Sequence, residues 1–197
     1  MAVKSAPSAA YPPFEVKSLH LTDDDLLELA QDNPELRIER TARGDLVIMP
    51  PAGGGSSHRN ARITQQLLNW SDENGMGEVF DSSGGFILPD TAVRSPDAAW
   101  VRKEELSELS GAQWEKFLPL CPDFVIELRS PTDSLEALQA KTTEYVSNGA
   151  TLSWLIDPQE KRVHVYAKQG VEILDAPARV SGEPLLPGFT LDLSAIF

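Results

Sequence analysis

Hydrophobic positions first settle into a pattern at Leu26, Leu27, Leu29 and Ala30, which share a helical face behind Thr22-Asp23-Asp24-Asp25. Thr22 can cap this helix, the acids suit its positive end, and Asn33-Pro34 stops it. Leu36 to Arg40 and Asp45 to Met49 then read as strands joined by Thr41-Ala42-Arg43-Gly44, a hairpin in which Gly44 can take positive φ. The stretch from Pro50 to Ser57 is expected to be a loop, followed by Ile63, Leu67, Leu68 and Trp70 at helical spacing as far as Asn74-Gly75. Strands are expected at Gly84 to Leu88 and Ser95 to Val101, with a short helical excursion over residues 103 to 117. The continuous apolar run Phe124 to Leu128 predicts a buried strand.

A helix from Ser134 to Asn148 follows, capped by Thr132 or Asp133 and closed by Gly149. Strands Leu152 to Ile156 and Arg162 to Ala167 meet at a turn on Asp157-Pro158, and Val171 to Leu174 adds another. This succession predicts an α/β (α+β) fold with a mixed central sheet flanked by helices. Residues 1 to 18, rich in Ala, Ser and Pro, are expected to form a flexible arm, leaving 19–197 as one domain.

Composition agrees with a single core: 41% of the 197 residues are hydrophobic and 24% charged. No apolar run is long enough to span a membrane and no secretory signal is apparent, so a cytoplasmic protein without a membrane partner is expected. The single cysteine, Cys121, excludes an internal disulfide, and His20, His58 and His164 are too scattered for a zinc site, so any metal would be held by oxygens. The net charge of −13 argues against non-specific nucleic-acid affinity. Locally, however, the segment from Arg37 to Arg62 holds five arginines (Arg37, Arg40, Arg43, Arg59, Arg62) against Glu39 and Asp45. It can be an ordinary solvated surface or a phosphate-contacting patch. The glycine-rich run before Ser57 can be a plain connection or a phosphate cradle, and it lacks the lysine and Ser/Thr of a P-loop.

The informative chemistry lies in Ser95-Pro96-Asp97-Ala98-Ala99-Trp100-Val101 and in Pro122 to Ser130. Each run places a carboxylate, Asp97 or Glu127, in a β-favouring apolar setting where its charge is costly unless paired. Strand alternation sets Glu127 with Val125 and Arg129, and Asp97 with Ala99 and Val101. Lys141 borders the helical stripe of Leu135, Leu138, Tyr145 and Val146, and can either snorkel to solvent or reach the two acids. A metal held by the acids and an internal salt-bridge network with Arg129 and Lys141 both answer the pairing problem.

From about Leu21 onward the chain resembles the Uma-type (Uma-two) restriction-endonuclease-like proteins of the PD-(D/E)XK nuclease superfamily. The resemblance rests on Arg94 to Val101, Pro122 to Pro131, Lys141 with Tyr145, and Trp154-Leu155-Ile156-Asp157-Pro158. It implies a restriction-endonuclease-like core and a nuclease hydrolysing DNA with Mg²⁺ or Mn²⁺ held by Asp97 and Glu127. It also implies that Lys141 assists and that Glu39 is a further acidic residue of the metal site. The lysine usual two residues after the glutamate is Arg129 here, which stays charged and cannot shuttle a proton. The resemblance places the lysine on the following helix instead. Arg129, Arg59 and Arg62 are candidates for substrate contact, and a homodimer is expected because one small subunit cuts one strand. The alternative is a catalytically silent binding module that retains the fold, favoured by the acidic charge.

Overall fold

The computed structural model describes residues 13–17, 19, 21–49 and 51–197. In chain order it contains β1 (Phe14–Val16), α1 (Asp23–Asp32), β2 (Arg37–Arg40), β3 (Leu46–Met49), α2 (Gly54–Asn74) and β4 (Gly77–Asp81). Then come β5 (Phe86–Ile87), β6 (Val93–Arg94), β7 (Ala98–Arg102), α3 (Lys103–Ser107), α4 (Gly111–Trp114) and β8 (Phe124–Leu128). The rest comprises α5 (Leu135–Ser147), β9 (Leu152–Asp157), β10 (Arg162–Ala167), β11 (Gly170–Asp175), β12 (Arg179–Ser181) and β13 (Thr190–Asp192).

Most of these elements follow from local chemistry. Thr22 caps α1 in a reciprocal capping box with Asp25, each side chain satisfying a backbone N–H of the other. The β2–β3 hairpin turns at Gly44, whose φ of 87° favours glycine. Ser134, rather than Thr132 or Asp133, caps α5 by accepting from the Ala137 N–H. The helix α2 starts within the expected glycine-rich loop, at Gly54 with Gly53 as its extended N-cap. Burial of Ile63, Leu67 and Trp70 further along drives this helix, so its weak helix formers are carried in the first turn. Within the expected N-terminal arm, residues 1–12 and 18 lie outside the described residues. Phe14–Val16 pairs antiparallel with β3 and forms the edge of a sheet.

Two main sheets organise the molecule. A five-stranded sheet has the order β1-β3-β2-β6-β5, and a six-stranded mixed sheet the order β11-β10-β9-β8-β7-β4. In the latter, β8 and β9 are parallel, joined through α5, and the other pairings are antiparallel. All five residues of β8 are buried, so both of its faces are covered, with Glu127 its one charged side chain. Phe124, Ile126 and Leu128 belong to a core with α2 and the C-terminal Phe189, Leu191, Leu193 and Ile196. Val125 joins Ala99, Val101 and Tyr145 of α5 in a second core on the opposite face. A third cluster, containing Leu26, Ile38, Leu46 and Val93, lies under the smaller sheet. Between β6 and β7 the segment Ser95-Pro96-Asp97 carries the chain from one sheet to the other.

Candidate active site

At this crossing three carboxylates and a lysine meet. The β7–β8 register sets Ala98 opposite Ile126, so Asp97, the residue just before β7, falls beside Glu127 near the end of β8. Neighbouring like charges repel, so this pair calls for a cation. The Leu128 N–H donates to Asp97 Oδ2 at 2.8 Å, fixing the Asp97 carboxylate beside the peptide that follows Glu127. From the smaller sheet β2 contributes Glu39, whose neighbour Arg40 pairs with Val93, setting Glu39 beside Arg94. Across the top, α5 delivers Lys141: its Nζ lies 2.8 Å from Glu127 Oε1 and 2.7 Å from Glu39 Oε1. One helical turn later the Tyr145 hydroxyl donates to Glu127 Oε1 at 3.0 Å.

The two glutamates are almost equally buried, at 2% and 3% exposure, yet their carboxyls shift in opposite directions. Burial opposes ionisation of Glu39, but Lys141 and Arg94 outweigh it and hold its carboxyl at about 2. Arg94 approaches at 3.1 Å and the Ser95 N–H at 2.9 Å, so several donors converge on this acid. Arg94 in turn reaches Glu144 of α5 at 2.6 Å. At Glu127 burial prevails: aided by the neighbouring Asp97 and Glu39 charges and opposed by Lys141, it pushes the carboxyl up to about 7. Burial also works against the Lys141 charge, but Glu127 and Glu39 keep the ammonium protonated. Burial, then the same two acids, push the Tyr145 phenol well above its usual range, so it remains a donor.

The expected residues Asp97, Glu127, Lys141 and Glu39 are thus brought to one place. Four partners were not anticipated. Arg37 donates to Asp97 Oδ1 at 3.2 Å and to the Ser95 carbonyl at 2.7 Å, and Asn60 donates to Asp97 Oδ1 at 2.9 Å. Arg94 and Tyr145 complete the shell. Strand alternation puts Arg37 and Glu39 on one face and helical spacing puts Tyr145 beside Lys141, so both carried a signal. Asn60 carried none.

The remaining arginines disperse. Arg129 pairs with Asp157 at 2.7 Å, at the end of β9, and not with Glu127. Arg59 donates to the Ile196 carbonyl at 2.7 Å, while Arg62 is exposed and bonds Gln65 at 3.1 Å. Arg40 and Arg43 face Asp23 and Asp45.

The donor set suits a hard cation. Asp97 and Glu127 offer only oxygens, and an ion between them would relieve both their mutual repulsion and the penalty on the Glu127 charge. Among the described residues no group of three or more His, Cys, Asp or Glu side chains is arranged to hold an ion as it stands. Lys141 fills the space between Glu39 and Glu127 in this arrangement. Asp97 also lines a cleft of about 620 Å³ between α2 and the sheets, the open approach to the site.

The fold is similar to that of a solved structure. A solved structure described as a putative nuclease belonging to DUF820, from Anabaena variabilis, superposes with a TM-score of 0.70 at 21% sequence identity, covering 84% of this chain and 90% of the other. The mixed sheet and its flanking helices therefore share that structure's fold. Residues 23–194 match the family model Uma2, described as putative restriction endonuclease, and the chain belongs to that family. A search of curated proteins found no match. No helix among the described residues is long and apolar enough to cross a membrane.

Proposed function

We propose that this chain is a Mg²⁺- or Mn²⁺-dependent nuclease that hydrolyses phosphodiester bonds of DNA at the Asp97–Glu127–Lys141 site. The observation that carries this reading is the convergence of Asp97, held by the Leu128 N–H, with Glu127 and the buried Lys141 ammonium 2.8 Å from Glu127. A bound divalent ion supplies activation of water and polarisation of the phosphate. Asp97, held by the Leu128 N–H, Arg37 and Asn60, presents its carboxylate in a fixed orientation. Glu127 supplies the second oxygen donor. Glu39 serves the same centre by position: it grips Lys141 and the Ser95 N–H, and so ties the ammonium to the segment that carries Asp97. Lys141, which bridges Glu39 and Glu127, would be the cationic group placed to meet negative charge developing on the phosphate.

Supercoiled plasmid incubated with Mg²⁺ or Mn²⁺ tests the reading, with wild type beside Glu127→Ala and Lys141→Ala. Nicking or linearisation by wild type is expected, with a loss of at least about 100-fold in each variant. Activity that survives both substitutions would place the chemistry elsewhere. The other reading, a binding module without catalysis, is favoured by the net charge of −13 and by the closure of Lys141 onto both glutamates. It predicts no cleavage by pure wild type with either metal.

A further inference from the structure

The cleft beside Asp97 has an unusual lining for a surface that meets nucleic acid. One wall is α2, where Ser57, Ala61, Thr64, Leu68 and Asp72 recur at helical spacing. They face away from the buried stripe of Ile63, Leu67 and Trp70. This wall is neutral except for Asp72, and Leu68 lies on it 40% exposed, an apolar side chain among hydrogen-bonding ones. Asn69 stands beside Leu68 and also lines the cleft.

Charge decides what such a cleft can take. Among the described residues Arg37 is the one cation lining it, and that guanidinium is already committed to Asp97 and the Ser95 carbonyl. Against it stand Asp72, Asp81 and Asp97. Duplex DNA is gripped through many phosphates by lysine and arginine, and this lining offers no such array. Bases, in contrast, are uncharged and have a flat face for Leu68 and edges for Thr64 and Asn69. Exocyclic amines of cytosine or adenine suit the Asp72 carboxylate, which repels a phosphate.

Two further observations agree. The volume of about 620 Å³ falls within the roughly 300–1,000 Å³ of sites that enclose a small ligand, suited to one or two nucleotides rather than the width of a duplex. At the Asp97 end, Arg37 Nε and Asn60 Oδ1 are buried without a protein partner. Buried polar atoms are normally satisfied, so these two mark a place that a ligand or ordered water completes.

We infer that this cleft binds a single nucleic-acid strand by its bases, one base plane lying on Leu68 with its edge at Thr64, Asn69 and Asp72. For the fate of the strand, the inference rests on the nuclease reading above; binding itself requires no turnover.

Fluorescence anisotropy with a 5′-labelled 12-mer rich in dA and dC, single-stranded or annealed to its complement, tests it. Ca²⁺ replaces Mg²⁺ to suppress cleavage. The single strand is expected to bind at least about tenfold more tightly than the duplex. Leu68→Ser and Asn69→Ala are each expected to weaken single-strand binding about fivefold or more, with unchanged melting temperature because both side chains are exposed. Equal or tighter duplex binding, or single-strand binding untouched by both substitutions, overturns the inference. Cleavage of the same oligonucleotides in Mg²⁺ by wild type and Lys141→Met separates the two readings. A protein that prefers the single strand but cuts nothing retains this inference and loses the nuclease. One that cuts in a Lys141-dependent way without that preference does the reverse.

Discussion

Glu39 and Glu127 lie on either side of one ammonium, and their opposite behaviour follows from who else is present. Glu39 has Arg94 and a backbone N–H in addition to Lys141, whereas Glu127 has a second carboxylate beside it. The consequence for stability has opposite signs at the two. Glu127, raised from 4.5 to about 7, binds its proton more tightly when folded. Its contribution is full below the unfolded value and is lost as pH rises through about 7. Glu39, lowered to about 2, contributes above the unfolded value and loses that contribution only as pH falls toward about 2. The metal-free protein is therefore expected to lose stability to urea between about pH 5 and pH 8, a decline that Glu127→Gln flattens. Carboxyl NMR of wild type should place the Glu127 midpoint near 7 and move it downward on adding Mg²⁺. An ordinary glutamate midpoint, unmoved by metal, would show that burial and Asp97 do not govern this group.

At the scale of elements, legibility tracked how completely an element buries itself. The run Phe124 to Leu128, the helix after Ser134 and the strand from Leu152 stand out because largely apolar segments and the closing Gly149 leave a local signal, although the cap expected at Thr132 or Asp133 is Ser134. What escaped was held by distant partners. The strand β4, with the weak alternation Gly-Glu-Val-Phe-Asp, exists because it pairs with β7, and α2 reaches back into glycines because its far end is buried. Gly77 makes this dependence testable, since a Cβ there would meet the Val101 carbonyl and the Trp100 ring. Gly77→Ala is expected to destabilise the fold by about 2 kcal/mol or more, measured by urea unfolding. Unchanged stability would mean that β4 is not seated against β7 as described. Because β4 ends at Asp81 on the cleft, single-strand binding should weaken along with it.

On the scale of the whole molecule, the site exists only because two sheets meet. Glu127 belongs to the six-stranded sheet, Asp97 to the segment that enters it, Glu39 to the five-stranded sheet and Lys141 to the crossover helix, separated in sequence by as much as 102 positions. The buried acids and the lysine were legible because charge inside apolar runs is conspicuous. Asn60 was not, because a polar side chain announces no partner until the chain is folded. The cluster of arginines from Arg37 to Arg62 shows the converse: close in sequence, they go to different partners in space. The expected homodimer answers the need to cut two strands, a need that disappears if α2 takes one strand at a time.

Diffraction from a crystal soaked in Mn²⁺ tests the metal-dependent centre most directly, because the ion scatters anomalously. An anomalous peak within about 2 Å of carboxylate oxygens from both Asp97 and Glu127, with Lys141 withdrawn from Glu127, is the predicted result. No peak at saturating Mn²⁺, or a peak elsewhere with Lys141 still bridging Glu39 and Glu127, would contradict it.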